Sequence, residues 1–355
     1  MPSENTKKKP AGKSAIRWVD ARVLCIEGQG WKDTAAPYDR FPSRAKSAVP
    51  DPVWDLSRNS AGIAVRFVAS ASEIHCRWQL TSKTIAMNHM PATGVSGVDL
   101  YVRLFRGEKK QRWHWTGIGR PESQINEAMI AEDIPAGKYE FLLYLPLYNG
   151  VKSVKIGIPR KAMIISAPAR PAGKAKPILF YGTSITQGGC ASRPGMAYPA
   201  IIGRFLDRPT INLGFSGNGC MDPPVVDLLC ELNPAVYVID CCPNLSPELI
   251  TERTEPMVRK IRQTHPRTPI VLVANIEYQA SAFLPAVRQN YTGKNVALCA
   301  AYKRLLAAGI KGLYYVPGKK LFGKDGEATV DGTHATDLGF KRIAECLTPV
   351  IQRAL

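Results

Sequence analysis

Ser184 is the first candidate for covalent chemistry in this chain. It lies in the stretch ILFYGTSITQGG, residues 178–189, where an apolar run leads through Gly182 and Thr183 to a hydroxyl group. A serine hydroxyl is a weak nucleophile at neutral pH unless a neighbouring base takes its proton, and that base needs a partner that fixes its tautomer. Such chemistry therefore requires a histidine and an acid at the same place.

His334 and Asp331 are the candidates for that base and its partner. They stand three positions apart in DGTHATDLGF, residues 331–340, a separation that lets a compact loop bring the carboxylate to the far nitrogen of the ring. Of the other histidines, His265 ends a helical segment, and three lie in the first half of the chain: His75, His89 and His114. We therefore expect His334 to be the only histidine on the rim of the sheet that carries the serine.

Glycine-rich turns and one side-chain amide could stabilise the anion that forms on an attacked carbonyl. INLGFSGNG, residues 211–219, and DCCPN, residues 240–244, both follow apolar runs. Backbone N–H groups and an asparagine amide donate hydrogen bonds to such an anion without adding charge. Taken singly, each feature has a commoner explanation than catalysis: a Gly-Thr-Ser turn is most often a helix cap, an exposed histidine is most often a surface residue, and an asparagine after proline is usually a turn residue. Their joint occurrence in this order favours a serine hydrolase.

Apolar runs that alternate with helical segments would position these residues. The runs are ILFY, TINL, AVYVID, PIVLVA and GLYYV, and the helical segments are 198–206, 223–232, 247–265, 295–309 and 338–355. Strands that are apolar on both faces need helices on both sides, which predicts a three-layer α/β domain with an open parallel five-stranded sheet. The loops beyond the carboxyl ends of such strands share one rim, and every candidate lies in one of them.

The first half of the chain has a different pattern. Short runs rich in Val, Tyr, Trp and Phe, separated by turn residues, predict an antiparallel, jelly-roll-like β-sandwich; they are 61–69, 74–80, 98–105, 112–118, 139–148 and 151–158. The Pro- and Ala-rich segment 166–177 is the predicted linker. The predicted domains are therefore 18–165 and 178–355, after a basic tail, 1–17, that we expect to be disordered.

Composition limits the classes of partner. The chain has 355 residues, 45% of them hydrophobic, and a net charge of +18, which favours acidic partners such as anionic polysaccharide or serves solubility alone. Zinc-knuckle spacing, an RNP-type aromatic strand and a basic recognition helix are all missing, so we expect no nucleic-acid partner. We also expect no membrane partner, since no run of about 18 apolar residues is present. The oligomeric state is left open.

The nine cysteines have neither the spacing of a zinc site nor that of a disulfide framework. Most are expected to be small buried side chains. Cys190 and Cys220 lie in glycine-rich loops, so these two either form a bridge or resemble the rest. The predicted rim has no cluster of His, Cys or carboxylates with ligand spacing. We therefore expect neither a metal nor a cofactor.

The blocks described above resemble the SGNH, or GDSL, hydrolase superfamily. FYGTSITQGG is similar to its first block, INLGFSGNG to the second, DCCPN to the third and DGTHATDLGF to the fifth. The resemblance spans residues 178–355 and implies a flavodoxin-like fold. It also implies that Ser184 is the nucleophile, His334 the general base and Asp331 the acid that orients it.

The same resemblance implies three oxyanion donors: the N–H of Ser184, the N–H of Gly217 and the side-chain amide of Asn244. Two residues depart from the family pattern. Thr183 stands where the name-giving motif has Asp, which leaves the serine in place. Pro243 precedes the asparagine where many members have Gly, which could alter how that loop is held.

The N-terminal half is similar to the first domain of two-domain bacterial members, through VWDLSRNSAGIAVRF and MPATGVSGVDLY. Carbohydrate esterases are prominent among these members. The resemblance implies a serine esterase that removes a small acyl group, most simply acetyl, from an acylated carbohydrate. The alternatives are a lipid, thioester or methyl-ester hydrolase with the same triad, and a catalytically silent polysaccharide-binding protein. Family analogy favours a periplasmic or extracellular location, whereas the absence of a visible signal peptide and the scattered thiols suit the cytoplasm.

Two features of the first half have alternative interpretations. The aromatic residues Trp113, Trp115, Tyr144 and Tyr148 either stack on sugar rings or belong to the core. The segment HMPATGVSG, residues 89–97, either reaches over the catalytic rim or packs between the domains.

Overall fold

The computed structural model describes residues 15–104 and 112–355. Residues 1–14 of the predicted tail lie outside this range, as does Phe105 at the end of a predicted strand. The strands are β1 Ile16–Asp20, β2 Cys25–Glu27, β3 Ala64–Ser70, β4 Ile74–Leu80, β5 Val98–Leu104, β6 Arg112–Gly119, β7 Ile125–Ala131, β8 Tyr139–Tyr144, β9 Val151–Pro159, β10 Met163–Ser166, β11 Ile178–Gly182, β12 Thr210–Gly214, β13 Val236–Asp240, β14 Ile270–Val273 and β15 Leu313–Val316. The helices are α1 Asp51–Ser57, α2 Ala92–Val95, α3 Ala172–Ala175, α4 Ser184–Gln187, α5 Tyr198–Leu206, α6 Pro223–Glu231, α7 Pro247–Thr264, α8 Pro285–Ala307 and α9 Asp337–Ala354.

The N-terminal half is a β-sandwich of two antiparallel sheets, as predicted. One sheet has the order β1-β9-β4-β7, and the other has the order β10-β3-β8-β5-β6 with β2 beside β3. Alternate residues of each strand point between the sheets, where Phe67 stacks on Phe141 with ring centroids 5.3 Å apart. Trp78 and Leu100 are buried in the same core. This packing of two inner faces is what holds a sandwich together.

The C-terminal half is a three-layer α/β domain, also as predicted. Its five strands are all parallel, in the order β12-β11-β13-β14-β15, which is the flavodoxin-like arrangement. Residues of α6, α7 and α8 pack on one face of the sheet, and residues of α5 and α9 pack on the other. The strands are thereby buried on both faces, apart from the half-buried Tyr314 and Tyr315 of the edge strand β15, which explains the continuous apolar runs.

The segment between β2 and β3 packs on the α/β domain, which we did not predict. Trp31, Phe41, Val53 and Trp54 are buried in the core that lies beneath α6 and α7. The indole nitrogen of Trp31 also donates a hydrogen bond to Glu231 at 2.7 Å. The first half of the chain therefore contributes a β-sandwich and also this segment, residues 28–63, which we call the strap. The strap packs against the helical layer of the α/β domain that contains α6 and α7.

Some element boundaries differ from those predicted. β1 begins at Ile16, inside the predicted tail, because this end of the chain pairs with β9 from Ile16 opposite Pro159 to Asp20 opposite Lys155. α8 begins at Pro285 rather than at the predicted 295. Its first ten residues carry no clear apolar period, so the sequence did not indicate a helix there. β10 ends at Ser166 and α3 forms one turn within the predicted linker. The placing of the domain boundary at 166–177 stays a prediction. Within the described ranges, no helix has the length and apolar character needed to cross a membrane.

Candidate active site

The turn after β11 explains why a buried strand runs straight into glycine, threonine and serine. Gly182 ends the strand, Thr183 caps α4 by accepting a hydrogen bond from the Ile185 N–H at 3.3 Å, and Ser184 is the first helical residue. A Cβ at residue 182 would lie 2.6 Å from the Asp240 carbonyl oxygen, so only glycine fits between the neighbouring strands. The turn thus presents the Ser184 hydroxyl at the rim of the sheet.

The structure brings Ser184, His334 and Asp331 together. Ser184 Oγ lies 2.8 Å from His334 Nε2, and His334 Nδ1 lies 2.7 Å from Asp331 Oδ2. Because Nδ1 faces a carboxylate, which can only accept, it carries the ring proton in the neutral imidazole, and Nε2 is then the acceptor that faces the hydroxyl. This arrangement can take a proton from Ser184, whose side chain is largely buried.

The loop before α9 holds the Asp331 carboxylate in place through two backbone hydrogen bonds. Asp331 Oδ1 accepts hydrogen bonds from the backbone N–H of Thr333 at 3.0 Å and of His334 at 2.7 Å. Burial raises the pKa of this carboxyl, but the hydrogen bonds from His334 and Thr333 outweigh it and bring the pKa below its ordinary value. The carboxylate is therefore ionised where it meets the imidazole.

The loop after β12 lies against the serine turn, since a Cβ at Gly219 would be 3.0 Å from the Thr183 nitrogen. Gly217 has a φ of +71°, a conformation that glycine adopts without strain. The Asn244 side chain satisfies this loop when its oxygen faces it, accepting from the N–H groups of Asn218 at 2.9 Å, Gly219 at 3.0 Å and Gly217 at 3.2 Å. Its NH2 group then points away from the loop. The Gly217 N–H makes the longest of these bonds, so an oxyanion would share that donor with Asn244.

Pro243 keeps Asn244 in a short 3-10 helix, Cys242–Asn244. The Pro243 carbonyl accepts a hydrogen bond from the Lys294 ammonium of α8 at 3.0 Å. Burial lowers the pKa of that lysine. The departure from the family pattern is thus accompanied by a contact from a neighbouring helix that holds the loop.

Side-chain amides fasten the serine turn to the loop after β12. Asn212 Nδ2 donates to the Thr186 carbonyl at 2.8 Å, and Gln187 Oε1 accepts from the Ser216 N–H at 3.0 Å. Both residues are buried. The relative position of the hydroxyl and the Gly217 N–H is therefore set by direct hydrogen bonds rather than by the backbone alone.

Arg40 supports the same loop from the strap. Its guanidinium donates to the carbonyl oxygens of Gly214 at 2.6 Å and Asn212 at 3.1 Å, and it lies over the ring of Phe215 at 4.8 Å. Arg40 is 1% exposed, and burial lowers its pKa to about 9. Sequence reasoning missed this residue because nothing local distinguishes it from a surface arginine.

The sandwich domain reaches the rim as well. The His89 ring lies 5.6 Å from that of His334, and Tyr148 Oη donates to the Ser184 carbonyl at 3.2 Å. The segment between β4 and β5 thus crosses to the other domain and brings a second histidine beside His334, which the expectation of a single histidine on the rim of the α/β sheet did not include. Met90 and Val95 of that segment are buried in the core beside α4. Residues 89–97 thus both border the rim and pack between the domains.

The sandwich aromatics are mostly used for packing. Tyr144 is buried, and Trp113 lies under the Arg103 guanidinium at 4.6 Å. Trp115 donates from its indole nitrogen to Asp99 at 2.9 Å and has Arg193 over its ring at 5.4 Å. Of the four predicted residues, Tyr148 is the one that contacts the serine turn.

A second group of polar side chains overlaps the triad. His89, Cys190, Asp331 and His334 each place one ligand atom within 4.8 Å of the others. The statement that this rim holds no cluster of metal-ligand residues is thus wrong, since the cluster draws on both domains. Cys190 and Cys220 are both free thiols. Burial, with a contribution from Asp331, raises the pKa of Cys190 to about 12.

Comparison with known proteins gives matches over both halves. Residues 175–352 match the model of the GDSL-like Lipase/Acylhydrolase family, and residues 16–164 match the model GxDLY, the N-terminus of Esterase_SGNH_hydro-type. No curated protein sequence matches the chain.

Solved structures resemble the whole chain. A protein of Bacteroides ovatus, described as a GDSL-like lipase, is 33% identical, with a TM-score of 0.88 over 96% of this chain and 98% of its own. A salicylyl-acyltransferase from a tetracycline biosynthetic pathway is 18% identical, with a TM-score of 0.75 over 95% and 97%. A family two carbohydrate esterase from Clostridium thermocellum, in complex with cellohexaose, is 14% identical, with a TM-score of 0.60 over 82% and 92%.

The last two likenesses show the fold alone. The family model covers half of the chain, and the B. ovatus structure matches nearly all of it at an identity that shows relationship. With its parallel sheet and its N-terminal sandwich, the chain belongs to the GDSL-like lipase/acylhydrolase family, the SGNH hydrolases.

Proposed function

We propose that this protein is a serine esterase that removes a small acyl group, most simply acetyl, from a carbohydrate hydroxyl. The observation that carries the proposal is the unbroken chain of hydrogen-bond contacts from Ser184 Oγ to His334 Nε2, 2.8 Å, and from His334 Nδ1 to Asp331 Oδ2, 2.7 Å. A nucleophile, a base and an orienting acid at these distances are the parts that acyl transfer to serine requires.

The reaction follows from these contacts. Ser184 Oγ attacks the acyl carbonyl while its proton passes to His334 Nε2, and Asp331 stabilises the imidazolium that forms. The carbonyl oxygen becomes an anion, for which the Ser184 N–H, the Gly217 N–H and the Asn244 NH2 group are the proposed donors. His334 then gives its proton to the leaving alcohol. Water repeats the sequence on the acyl-enzyme and releases the acid.

The space beside the serine supports a small acyl group. A Cβ at Gly189 would lie 2.9 Å from Tyr148 Oη and 3.2 Å from His334 Cδ2, so the serine turn and the sandwich are closely packed here. His89 and Cys190, a polar and a small side chain, lie beside the same histidine. The carbohydrate is supported by the fold shared with the C. thermocellum esterase whose structure is in complex with cellohexaose.

Replacement of the nucleophile is the direct test. Ser184→Ala should remove nearly all turnover of p-nitrophenyl acetate, with a loss in kcat that approaches about 10⁶-fold, the effect of losing the nucleophile of a serine triad. Ser47→Ala, an exposed serine on the strap, is the matched control and should keep the wild-type rate. Full activity of Ser184→Ala would refute the proposed role.

Asn244→Ala tests the oxyanion donor. If the amide NH2 stabilises the anion, kcat for the same ester should fall by about 10²- to 10³-fold with a smaller change in KM, because the bond forms only in the transition state. The variant also removes the acceptor for three N–H groups of the glycine loop. Asn244→Asp keeps that acceptor and should still lose activity, whereas wild-type kcat in Asn244→Asp would contradict donation.

The substrate class is tested by two comparisons. Acetyl against octanoyl esters of p-nitrophenol separates small-acyl from lipid hydrolysis, and acetyl thioesters and methyl esters test for thioesterase and methyl-esterase activity. Mass spectrometry of products from a panel of acetylated and methylated polysaccharides, with Ser184→Ala as the control, identifies the natural group. Retention on glycan gels without any release of acid would instead support a silent polysaccharide-binding protein.

A further inference from the structure

Four potential metal ligands from both domains meet beside the proposed triad. His89 comes from the segment between β4 and β5, Cys190 follows α4, and Asp331 and His334 belong to the loop before α9. Their ligand atoms all lie within 4.8 Å of one another. Separations of this size across four different side chains are close to those around a bound ion.

Two imidazoles, a thiol and a carboxylate make up a donor set that suits Zn²⁺. This ion takes four such ligands in a tetrahedron, with metal–ligand distances of about 2.0–2.3 Å. Ligand atoms in that geometry are roughly 3.3–3.8 Å apart, so the cluster would have to contract by at most about 1–1.5 Å to close on the ion. Ca²⁺ and Mg²⁺ prefer oxygen ligands, and only the carboxylate offers them here.

Both domains hold Cys190 in place. Its φ of +71° lies in the left-handed region, which a residue with a side chain rarely adopts. Two residues further on, the Ser192 carbonyl accepts from Thr93 Oγ1 of the sandwich at 2.6 Å, and the Ser192 N–H donates to Asp337 of α9 at 2.9 Å. The thiol is thus kept beside the two histidines by surrounding contacts that override local preference.

We propose that His89, Cys190, Asp331 and His334 form a binding site for a divalent transition metal ion of the Zn²⁺ type, and that this ion inhibits the hydrolase. On binding, the Cys190 thiol releases its proton to solvent and its sulfur ligates the ion. His334 and Asp331 become ligands as well, so the imidazole no longer accepts the Ser184 proton. The inhibition rests on the proposed function, whereas the binding does not.

Binding is tested with Co²⁺ alone, in the full-length Ser184→Ala variant freed of metal. We expect a thiolate-to-cobalt charge-transfer band and the intense visible bands of tetrahedral Co²⁺, saturating at one equivalent. In this background, the further substitution Cys190→Ser should abolish the charge-transfer band. The further substitution His89→Ala removes a proposed ligand and should weaken Co²⁺ binding by more than the about 10- to 100-fold that the loss of an outer-shell partner costs. Cys299→Ser and His114→Ala, at a half-buried thiol and a half-buried histidine outside the cluster, are the matched controls and should leave the spectrum unchanged.

Inhibition is tested with Zn²⁺ in the wild-type protein. p-Nitrophenyl acetate hydrolysis should fall on addition of Zn²⁺ and recover with a chelator. Cys190→Ser and His89→Ala, each measured against its own metal-free rate, should need more Zn²⁺ for half inhibition, by a factor above the about 10- to 100-fold that the loss of an outer-shell partner costs. A missing charge-transfer band, or a band that survives Cys190→Ser, would overturn the site. If the wild-type protein gave a saturating Co²⁺ spectrum but hydrolysed no ester, the metal site would be supported. The proposed esterase function would then be overturned.

Discussion

Asp240 is a buried carboxyl beside the serine turn. It ends β13, and its Oδ2 accepts hydrogen bonds from Tyr198 Oη at 2.9 Å and from Thr186 Oγ1 at 3.3 Å, while Oδ1 has no partner. Burial raises its pKa to about 7, although the two hydroxyl bonds act in the opposite direction. Thr186 belongs to α4, the helix that begins with Ser184. The Asp240 carboxyl is thus hydrogen-bonded to the helix that carries Ser184.

Asp240→Asn should change how stability depends on pH. In the wild type the folded-state pKa of Asp240 lies above the unfolded value of about 3.9, so this residue stabilises the fold below that value, and the contribution is lost as pH rises to about 7. The loss is at most about 1.4 kcal/mol per pH unit. Urea unfolding from pH 5 to pH 8 should show the variant gaining stability relative to the wild type as pH rises, with the difference levelling off above about pH 7. A difference that is constant over this range would contradict the raised pKa.

At the scale of elements, the site depends on how neighbouring loops are tied together. Arg40 of the strap is the common support of the loop after β12, since its guanidinium also donates to the carbonyl oxygens of Leu56 at 2.6 Å and Asn59 at 2.9 Å. Four backbone acceptors, counting those of Asn212 and Gly214, therefore share one buried cation. The strap and the carboxyl end of β12, from which the glycine-rich loop continues, therefore meet at the Arg40 side chain.

Arg40→Lys should separate the effect of the hydrogen bonds that Arg40 donates to the backbone from the effect of its positive charge. A lysine keeps the cation but cannot reach all four carbonyls, so buried acceptors are left unpaired and the free energy of unfolding should fall by about 2–4 kcal/mol. If the loop also shifts, kcat for p-nitrophenyl acetate should fall by about 10- to 100-fold with little change in KM. Arg77→Lys, at an exposed arginine that pairs with the exposed Glu127 at 2.6 Å, is the control and should change stability by less than about 1 kcal/mol. An Arg40→Lys protein with wild-type kcat would show that the residue only stabilises the fold.

The elements of the α/β domain could be predicted from the sequence because their signal is local. Runs such as ILFY at 178–181 and AVYVID at 235–240 are apolar on both faces, and the structure has strands at Ile178–Gly182 and Val236–Asp240. The start of α8 could not be predicted, since residues 285–294 carry no apolar stripe. They form a helix that Tyr291 anchors by packing against Tyr278, with ring centroids 6.1 Å apart.

Contacts that join distant segments could not be predicted in the same way. The spacing of Asp331 and His334 marks a local loop, whereas the approach of His89 to His334 depends on how the sandwich docks. Arg40 and Cys190 likewise take their surroundings from other parts of the chain. Sequence reasoning therefore yields the residues within each block, and the structure adds those that reach the site from the other domain.

At the scale of the whole molecule, the two domains are joined at the segment that borders the site. Asp99 of β5 is completely buried, and its Oδ2 accepts from Arg193 at 2.8 Å and from the Gly195 N–H at 2.8 Å, both in the α/β domain. Tyr101 of the same strand accepts a further hydrogen bond from Arg193. Asp99 and Tyr101 lie in VSGVDLY, which contains the sequence for which the N-terminal family model is named. The motif thus fixes the stretch that follows Cys190.

Asp99→Asn should loosen this junction while keeping its shape. The amide cannot balance the Arg193 charge, which lies mostly within the interface, so we expect a loss of about 3 kcal/mol in the free energy of unfolding. Since the sandwich and the α/β domain then couple less strongly, the single calorimetric transition expected of the wild type should broaden or split. kcat for p-nitrophenyl acetate should also fall, because the segment that carries Cys190 lies against His334. Asp20→Asn, at a more exposed ion pair with Arg22, is the control and should lower the free energy of unfolding by less than about 1 kcal/mol. Equal losses in the two variants would show that the buried pair of Asp99 and Arg193 does not hold the domains together.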